Sequence, residues 1–380
     1  MVLLIDAPER RTRRERYDDH RDAEALAWAW RCACEGTGLG RTVDTPTGGT
    51  TTTPKVTAVR LGRHPELLVA LLPGQLPADV RAVANRLAPH LGAVALRVEP
   101  RTPVHVRVTL LDADPLDGTV ALAAGSGLHL GRDENGAELR VDPAELPHTI
   151  AQGVTRSGKS VWTYGLLAQL AHRPDAVVAG CDPTGLLWRP FTGSRHTPWQ
   201  SSGLADPGAH EKVLVAVVEE METRIDGLPL DRDTVAVGPA LPLIVVVLEE
   251  YPGLLRVLDA AKTRGDDPGA RLRALVSRLL AEGAKAGIRV VLLAQRAEAS
   301  VVGAFERAMC SLRVSFRCDN RASVELLHPG APAAVADAHT AALPGVALLS
   351  RPGHELSRIR APFLGGYAEY VAAVSGRLPS

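Results

Sequence analysis

The chain has 380 residues, 46% apolar and 23% charged, which suits a globular protein with room for two or three domains and excludes a largely disordered one. Its formal net charge is zero, so binding driven by overall basicity is excluded while a local basic groove is not. The longest apolar run, around Leu241–Leu248, is strand-sized against the ~20 residues of a membrane span. MVLLIDAPERR lacks the apolar core and cleavage site of a secretory leader, so a cytoplasmic protein without a transmembrane segment of its own is expected.

The first residues carry RRTRRER and then DDHRD, a charge run that reads as a solvated tail, with nucleic-acid contact as the alternative. Ala23–Cys34 reads as a helix with Ala25, Leu26, Trp28, Ala29 and Trp30 on its apolar side. Gly36–Pro54, rich in Thr and Gly, reads as a linker. Residues 1–54 are thus an arginine-rich segment, a helix and a linker.

Residues 55–125 read as a small α+β domain. Strands are predicted at Val56–Leu61, Leu67–Leu72, Ala93–Val98 and Val104–Leu110, with an amphipathic helix over Pro77–Leu91. Leu128–Leu130 and Leu139–Val141 flank Asn135-Gly136, a pair suited to the positive φ of a tight hairpin turn. The five cysteines (Cys32, Cys34, Cys181, Cys310 and Cys318) are scattered. They fit reduced thiols; Cys32 and Cys34 have no second pair at zinc spacing.

Residues 126–370 form the main domain, with 371–380 a tail. Short apolar runs alternate there with helical stretches: Thr149–Gln152, Ala176–Cys181, Leu243–Leu248, Ile288–Ala294 and Leu312–Phe316. Runs without polar alternation suit parallel strands covered by helices on both faces, so the fold class is α/β.

The stretch from Gly153 to Ser160 reads GVTRSGKS, the phosphate-binding pattern G-x-x-x-x-G-K-[ST]. Gly153 and Gly158 let the backbone turn, so that N–H groups around Val154, Thr155, Arg156, Ser157 and Val161 face phosphate oxygens. Lys159 supplies a charge for the β- and γ-phosphates, and the Ser160 hydroxyl a ligand for Mg²⁺. Lys and Arg together number 43, only five of them lysines, which makes a chance lysine at this place improbable. A strand before and a helix after, Val161–Leu170, are the context such a loop needs.

The run Leu243–Leu248 ends in Glu249-Glu250. Carboxylates at the C-terminal end of a central strand lie where open α/β sheets bind ligands. Glu249 is the candidate for the metal side and Glu250 for the base that orients water; the alternative is two acids opening the next helix before Pro252. Ile288–Ala294 ends in Gln295-Arg296. Gln295 is placed to sense a γ-phosphate or to cap the strand.

Together these motifs resemble the FtsK/SpoIIIE-type DNA translocases, including their actinomycete plasmid-transfer branch, over about residues 128–370. The carrying stretches are GRDENGAELRVDPAELPHTIAQGVTRSGKS, VVAGCDP ending at Asp182-Pro183, EEMETR at Glu219–Arg224, EGAKAGIRVVLLAQR at Glu282–Arg296, and LRVSFRCDNRASVELL at Leu312–Leu327. The resemblance implies a RecA-like P-loop ATPase that uses ATP and Mg²⁺. It also implies assembly as a ring, usually a hexamer, that moves double-stranded DNA through its centre, in plasmid or conjugative transfer or in chromosome segregation. Arg313 and Arg321 match family arginines, either of which would serve the neighbouring subunit's γ-phosphate or else face DNA or solvent.

Departures are Glu249 where most of the family has Asp, and Gly185 and Trp188 where more polar residues are expected. No membrane spans are seen, and no room remains after residue 370 for a winged-helix module. These suggest a motor recruited by a membrane-associated partner protein. Arg264, Arg271, Arg273 and Arg278 are candidates for DNA-phosphate contacts, with a solvated helix face as the alternative. Two other functions remain open: a ring ATPase moving protein, as in type VII secretion, and a nucleotide-binding scaffold that scarcely hydrolyses ATP.

Overall fold

The apolar runs without polar alternation form the middle of one large sheet. The computed structural model describes residues 4–6, 13–45, 48–297 and 302–376, in two units: Met1–Asp117 with Glu134–Gly136, and Gly118–Asp133 with Ala137–Ser380. Arg10–Thr12 of the arginine run and Arg377–Ser380 of the tail lie outside the described residues.

In the first unit, strand β1 (Leu4–Asp6) precedes helix α1 (Arg13–Thr37). The strands β2 (Arg41–Thr45) and β3 (Gly48–Thr52) follow, then β4 (Lys55–Arg60), β5 (Glu66–Ala70), helix α2 (Pro77–Leu87), β6 (Ala95–Thr102) and β7 (His105–Leu111). The sheet order is β1-β4-β5-β7-β6. Only the β1–β4 pair is parallel.

Two sequence expectations change here. The stretch read as a linker is largely a hairpin, β2 pairing antiparallel with β3 from Arg41↔Thr52 to Thr45↔Gly48. Thr is β-branched and favours strands, and Thr42 and Thr51 hydroxyls meet across it at 2.9 Å. Helix α1 starts within the arginine run, and its buried side is Ala23, Trp30, Ala33 and Cys34. Trp28 is 68% exposed and Ala25 is also exposed. A step of about 100° per residue puts 23, 30 and 34 on one face and turns 25 and 28 away. Trp30 packs with Leu67, Val69, Val80, Leu87 and Val106, and its Nε1 donates to Pro54 O at 2.8 Å.

The second unit contains β8 (Val120–Ala121), β9 (Leu128–Asp133), β10 (Glu138–Val141) and β11 (Thr149–Gln152). Next come α3 (Lys159–Ala171), β12 (Ala176–Asp182), β13 (Gln200–Ser202), α4 (Gly208–Asp226), β14 (Leu243–Leu248), α5 (Tyr251–Ala260) and α6 (Pro268–Glu282). The remainder is β15 (Ile288–Ala294), α7 (Ala304–Met309), β16 (Leu312–Phe316), α8 (Arg321–Leu327), α9 (Ala333–His339), β17 (Val346–Ser350), β18 (Ser357–Arg360), β19 (Pro362–Phe363) and α10 (Tyr367–Ser375). Ten strands form one sheet in the order β10-β9-β18-β17-β16-β11-β15-β14-β12-β13. The six from β16 to β13 are parallel, and the other four are added antiparallel.

Strand β14 explains its own composition. Leu243, Val245 and Val247 enter the core under α3 and α10, with Trp162, Leu166 and Tyr370. Ile244, Val246 and Leu248 enter the opposite core under α4, α5 and α6, with Met221, Leu254 and Leu279. With both faces covered, every position is apolar, and each such side chain contributes roughly 1.5–3 kcal/mol on burial. Gly180 on β12 has φ 131°, and a Cβ there would stand 2.0 Å from Val247 O. Only glycine permits that approach between β12 and β14.

Candidate functional site

The phosphate-loop residues lie where the order of the parallel strands brings β11, β15 and β14 side by side. Gly153 leaves β11 and donates its N–H to Ala294 O and Gln295 O, both at 3.3 Å. Val154 N bonds Arg317 O at 3.0 Å, and Ser157 N bonds back to Val154 O at 3.1 Å, closing the turn. Arg156 has φ 63° and Gly158 φ 107°. A Cβ on Gly158 would meet Gly345 N at 2.6 Å, so the second glycine is required by space as well as by φ.

Helix α3 then starts at Lys159. The N–H groups of its first turn have no helical partners, so Lys159, Ser160 and Val161 present donors and the positive end of the helix to an anion. Thr155 and Ser160 are exposed, Val154 and Val161 half-buried, and Ser157 buried, its Oγ without a hydrogen-bond partner.

Lys159 is only 6% exposed. Its Nζ lies 3.5 Å from Glu250 Oε2. Glu250 has φ 45°, a left-handed conformation uncommon for a residue with a side chain. It turns the chain from β14 into α5. Glu249 sits one residue earlier and extends the sheet, its N–H donating to Cys181 O at 2.9 Å. The residue keeps some surface, but its Oε2 is enclosed and has no hydrogen-bond partner. Burial raises its carboxyl to about 7, the charges of Asp182 and Glu250 push the same way, and Lys159 opposes.

The enclosed, unpaired carboxylate oxygen of Glu249 and the exposed Ser160 hydroxyl are the kind of oxygen ligands that a hydrated hard cation such as Mg²⁺ takes. The adjacent Asp182 is already committed. It accepts from Thr184 N, Thr184 Oγ1 and Leu187 N, each at 2.8 Å. This turn accounts for the two unexpected residues after it: Gly185 takes φ 74°, and Trp188 is 3% exposed in the core.

Gln295 is exposed at the end of β15. It lines a cavity of about 280 Å³ with Val154, Glu250, Pro252, Arg256, Arg296 and Asp319. A more open hollow of about 420 Å³ lies beside Gln169, His172 and Asp175; it includes none of the carboxylates or cations of the phosphate-loop region.

The candidate arginines separate. Arg313 donates to three backbone carbonyls: Cys310 O at 3.1 Å, Leu327 O at 3.1 Å and Arg307 O at 2.8 Å. Its guanidinium is therefore a bracket for α7, β16 and α8, against the expectation that it stands free for a neighbour. Arg321 is exposed at the start of α8, 2.5 Å from Glu325 Oε1. Of the arginines proposed for DNA, Arg271 pairs with both carboxylate oxygens of Glu211 and with Asp266. Arg273 forks onto Asp259, and Arg278 bonds Glu222 at 2.8 Å. These pairs tie α6 to α4 and α5. Arg264 alone of the four stands on a turn, exposed between Thr263 and Asp266.

Sequence reasoning missed Arg256 and Asp319, which face the cavity, and Gln152, which is fully buried behind it. Arg256 lies two turns into α5 from Glu250, a spacing visible in the sequence. Asp319 becomes a neighbour only through β-sheet order, which a linear motif does not carry.

No protein-family model matches the chain. Among curated proteins it is 25% identical over 338 residues to the DNA translocase FtsK of Brucella melitensis biotype 1, covering 76% of this chain and 38% of that protein. It is 26% identical over 206 residues to the DNA translocase SpoIIIE of Bacillus subtilis, covering 49% of this chain and 25% of the relative. The chain thus spans between a quarter and two-fifths of these proteins' length. Among solved structures, the cytoplasmic domain of the Thermomonospora curvata type VII secretion ATPase EccC superposes with a TM-score of 0.53 at 22% identity, covering 71% of this chain and 34% of that one. The chain resembles the FtsK/SpoIIIE translocases in sequence, and it shares with the EccC domain an α/β fold built on a large, mainly parallel sheet. Among the described residues no helix is long and apolar enough to cross a membrane.

Proposed function

We propose that this chain is the ATPase module of a double-stranded DNA translocase, hydrolysing ATP between the phosphate loop and the end of β14. The observation that carries the reading is the convergence of Lys159, Glu249 and Glu250 from two separate elements, at the N-terminus of α3. Lys159 and the α3 N-terminus bind the phosphates. Glu250, turned into the cleft by its left-handed backbone, holds the attacking water and takes its proton. Gln295 faces the terminal phosphate from β15.

Ser160 and Glu249 would hold Mg²⁺, Glu249 through water, and the ion would neutralise phosphate charge as the bond to the leaving group breaks. The longer reach of Glu relative to Asp suits such an indirect contact. Arg321, exposed and carried on a short helix, is the candidate to serve a neighbouring subunit in a ring, usually a hexamer in translocases of this kind; Arg313 is occupied within its own chain. With net charge zero, DNA affinity would come from a few arginines repeated around a channel, Arg264 first among them, giving salt-dependent and sequence-tolerant binding.

The test is ATP hydrolysis with and without long double-stranded DNA at low and moderate salt. DNA is expected to stimulate hydrolysis, more at low salt, and Lys159→Ala and Glu250→Gln are expected to abolish it. Hydrolysis indifferent to DNA points to a polypeptide cargo instead, and tight ATP binding without turnover to a scaffold.

A further inference from the structure

Gln152 is the last residue of β11, and the backbone turns into the phosphate loop immediately after it. Its neighbours in the strand, Ile150 and Ala151, are apolar, and like them it is 0% exposed. A buried primary amide at such a place is unfavourable unless its hydrogen bonds are made. Here its Nε2 donates to Ser315 Oγ at 2.9 Å and to Ser323 O at 2.8 Å, and its Oε1 accepts from Ala297 N at 3.1 Å. The orientation of the amide is fixed by its partners: a backbone N–H can only donate and a backbone carbonyl can only accept.

These partners share one corner of the cleft. Ala297 follows Gln295 and Arg296. Ser323, whose carbonyl Gln152 binds, accepts Arg296 Nε on its own Oγ at 3.0 Å. Arg296 also lies 3.4 Å from Asp319, and all three cavity-lining residues, Gln295, Arg296 and Asp319, stand beside Val154 and Glu250. Behind Ser315 the chain of polar groups continues to His328 Nε2 at 2.8 Å and through His328 Nδ1 to Ser350 Oγ at 2.7 Å. Gln152, Ser315, Ser323 and His328 are buried, and the bonds among them are strengthened by the low local dielectric.

We propose that Gln152 is a positioning residue for the hydrolysis read above: it grips the Ala297 backbone and Ser323 from behind, holding Gln295 and Arg296 at the phosphate side of the cleft in register with the phosphate loop. The inference rests on that reading of the cleft. Its logic is that of second-layer support, in which a group that never touches substrate fixes those that do. Gln152 does so from the residue adjoining Gly153, adding a side-chain link to the backbone bond from Gly153 N to Gln295 O, so a displacement of the loop by bound phosphates reaches the Gln295–Arg296 corner by both routes.

The test compares the unsubstituted chain with Gln152→Met, which keeps length and packing but loses all three bonds, and with Ser315→Ala, which breaks the same network from the other side should the first variant not fold. The expected result for Gln152→Met is a fall in kcat of about tenfold with KM and nucleotide affinity little changed, the size of one or two well-placed hydrogen bonds. Amide exchange at Gln295–Ala297 should also lose its response to added nucleotide. Unchanged kcat in both variants overturns the proposal. So does a parallel fall in nucleotide affinity and thermal stability, which would make Gln152 a packing residue. An unsubstituted chain that binds no ATP would overturn the reading of the cleft itself, and this inference with it, an outcome distinct from the variant results.

Discussion

Lys159 Nζ and Glu250 Oε2 lie 3.5 Å apart, the ammonium almost fully buried and the carboxylate at the mouth of the cleft. Phosphates entering the loop compete for the same ammonium, so ATP binding would release Glu250 from its partner as it delivers the bond to be broken. Glu250→Gln keeps the shape of the side chain and removes its basicity. Hydrolysis should then fall by about 10²–10³-fold, while nucleotide affinity holds or rises because Lys159 is no longer paired. Lys159→Ala should lose affinity. Titration with a fluorescent ATP analogue beside single-turnover hydrolysis separates the two. Equal loss of affinity in both variants would refute the division of roles.

Glu249 carries a stability consequence. Its carboxyl is raised from 4.5 to about 7 by burial, so the native metal-free state holds a proton that the unfolded chain has released. That favours the fold below pH 4.5, and the advantage is lost as pH rises through 7. The shift corresponds to up to about 3 kcal/mol. Glu249→Gln removes the ionisation. In the presence of chelator it should melt higher than the unsubstituted chain at pH 8 and alike at pH 4.5, while losing hydrolysis. Such a gain in stability with loss of activity marks a strained functional group. A Glu249→Gln variant melting lower at pH 8 would contradict this account.

The sheet interior was legible because its physics is local. Leu243–Leu248 is apolar at every position, Ile288–Ala294 and Leu312–Phe316 are apolar but for Arg289, Arg313 and Ser315, and the strands coincide with those runs. The turn between β11 and α3 was legible because its second glycine, Gly158, takes φ 107° and has no room for a Cβ. What escaped depends on partners distant in sequence. Arg313 and Arg321 look alike in a motif, yet one meets three backbone carbonyls and the other an exposed carboxylate, Glu325. The arginines of α6 looked like a basic face until α4 and α5 brought Glu211, Glu222 and Asp259 opposite them. The Thr-rich stretch before β4 was misread as a linker because glycine and threonine together suggest a loop, while threonine alone favours a strand.

His148, just before β11, supplies an acid-sensitive point. Its Nδ1 accepts the N–H of Val290 at 2.9 Å, and its Nε2 is buried without a partner. Burial lowers its pKa from 6.5 to about 4, with the charge of Arg289 acting the same way. The unfolded chain therefore takes up a proton that the native state refuses. Stability is full above pH 6.5 and declines as pH falls towards 4, by about 3 kcal/mol from this residue. Protonation would also convert the Nδ1 acceptor into a donor facing the Val290 N–H. Denaturant unfolding at pH 7 and pH 5 should show the loss, and His148→Gln should reduce the difference between the two. An unchanged difference would place the acid sensitivity elsewhere, with the buried His328 next in line.

Arg313 and Arg321 give the clearest contrast between support and chemistry. Removing the Arg313 side chain strips donors from the carbonyls of Cys310, Leu327 and Arg307. Unmatched groups of this kind cost about 1–3 kcal/mol each when buried, less when water can reach them. Arg313→Ala should therefore lower the melting temperature by several degrees. Arg321 makes exposed ion pairs with Glu325 and, at 3.9 Å, with Asp337, which solvent largely screens. Arg321→Ala should melt almost as the unsubstituted chain does. If Arg321 serves the neighbouring subunit, its loss lowers kcat by about 10²-fold or more. Mixing Arg321→Ala with Lys159→Ala should then restore activity, since each variant supplies what the other lacks at a shared site. A mixture no more active than its parts would place the trans-acting cation on another residue; Arg256, which lines the cavity beside Glu250 of its own chain, is placed to act in cis.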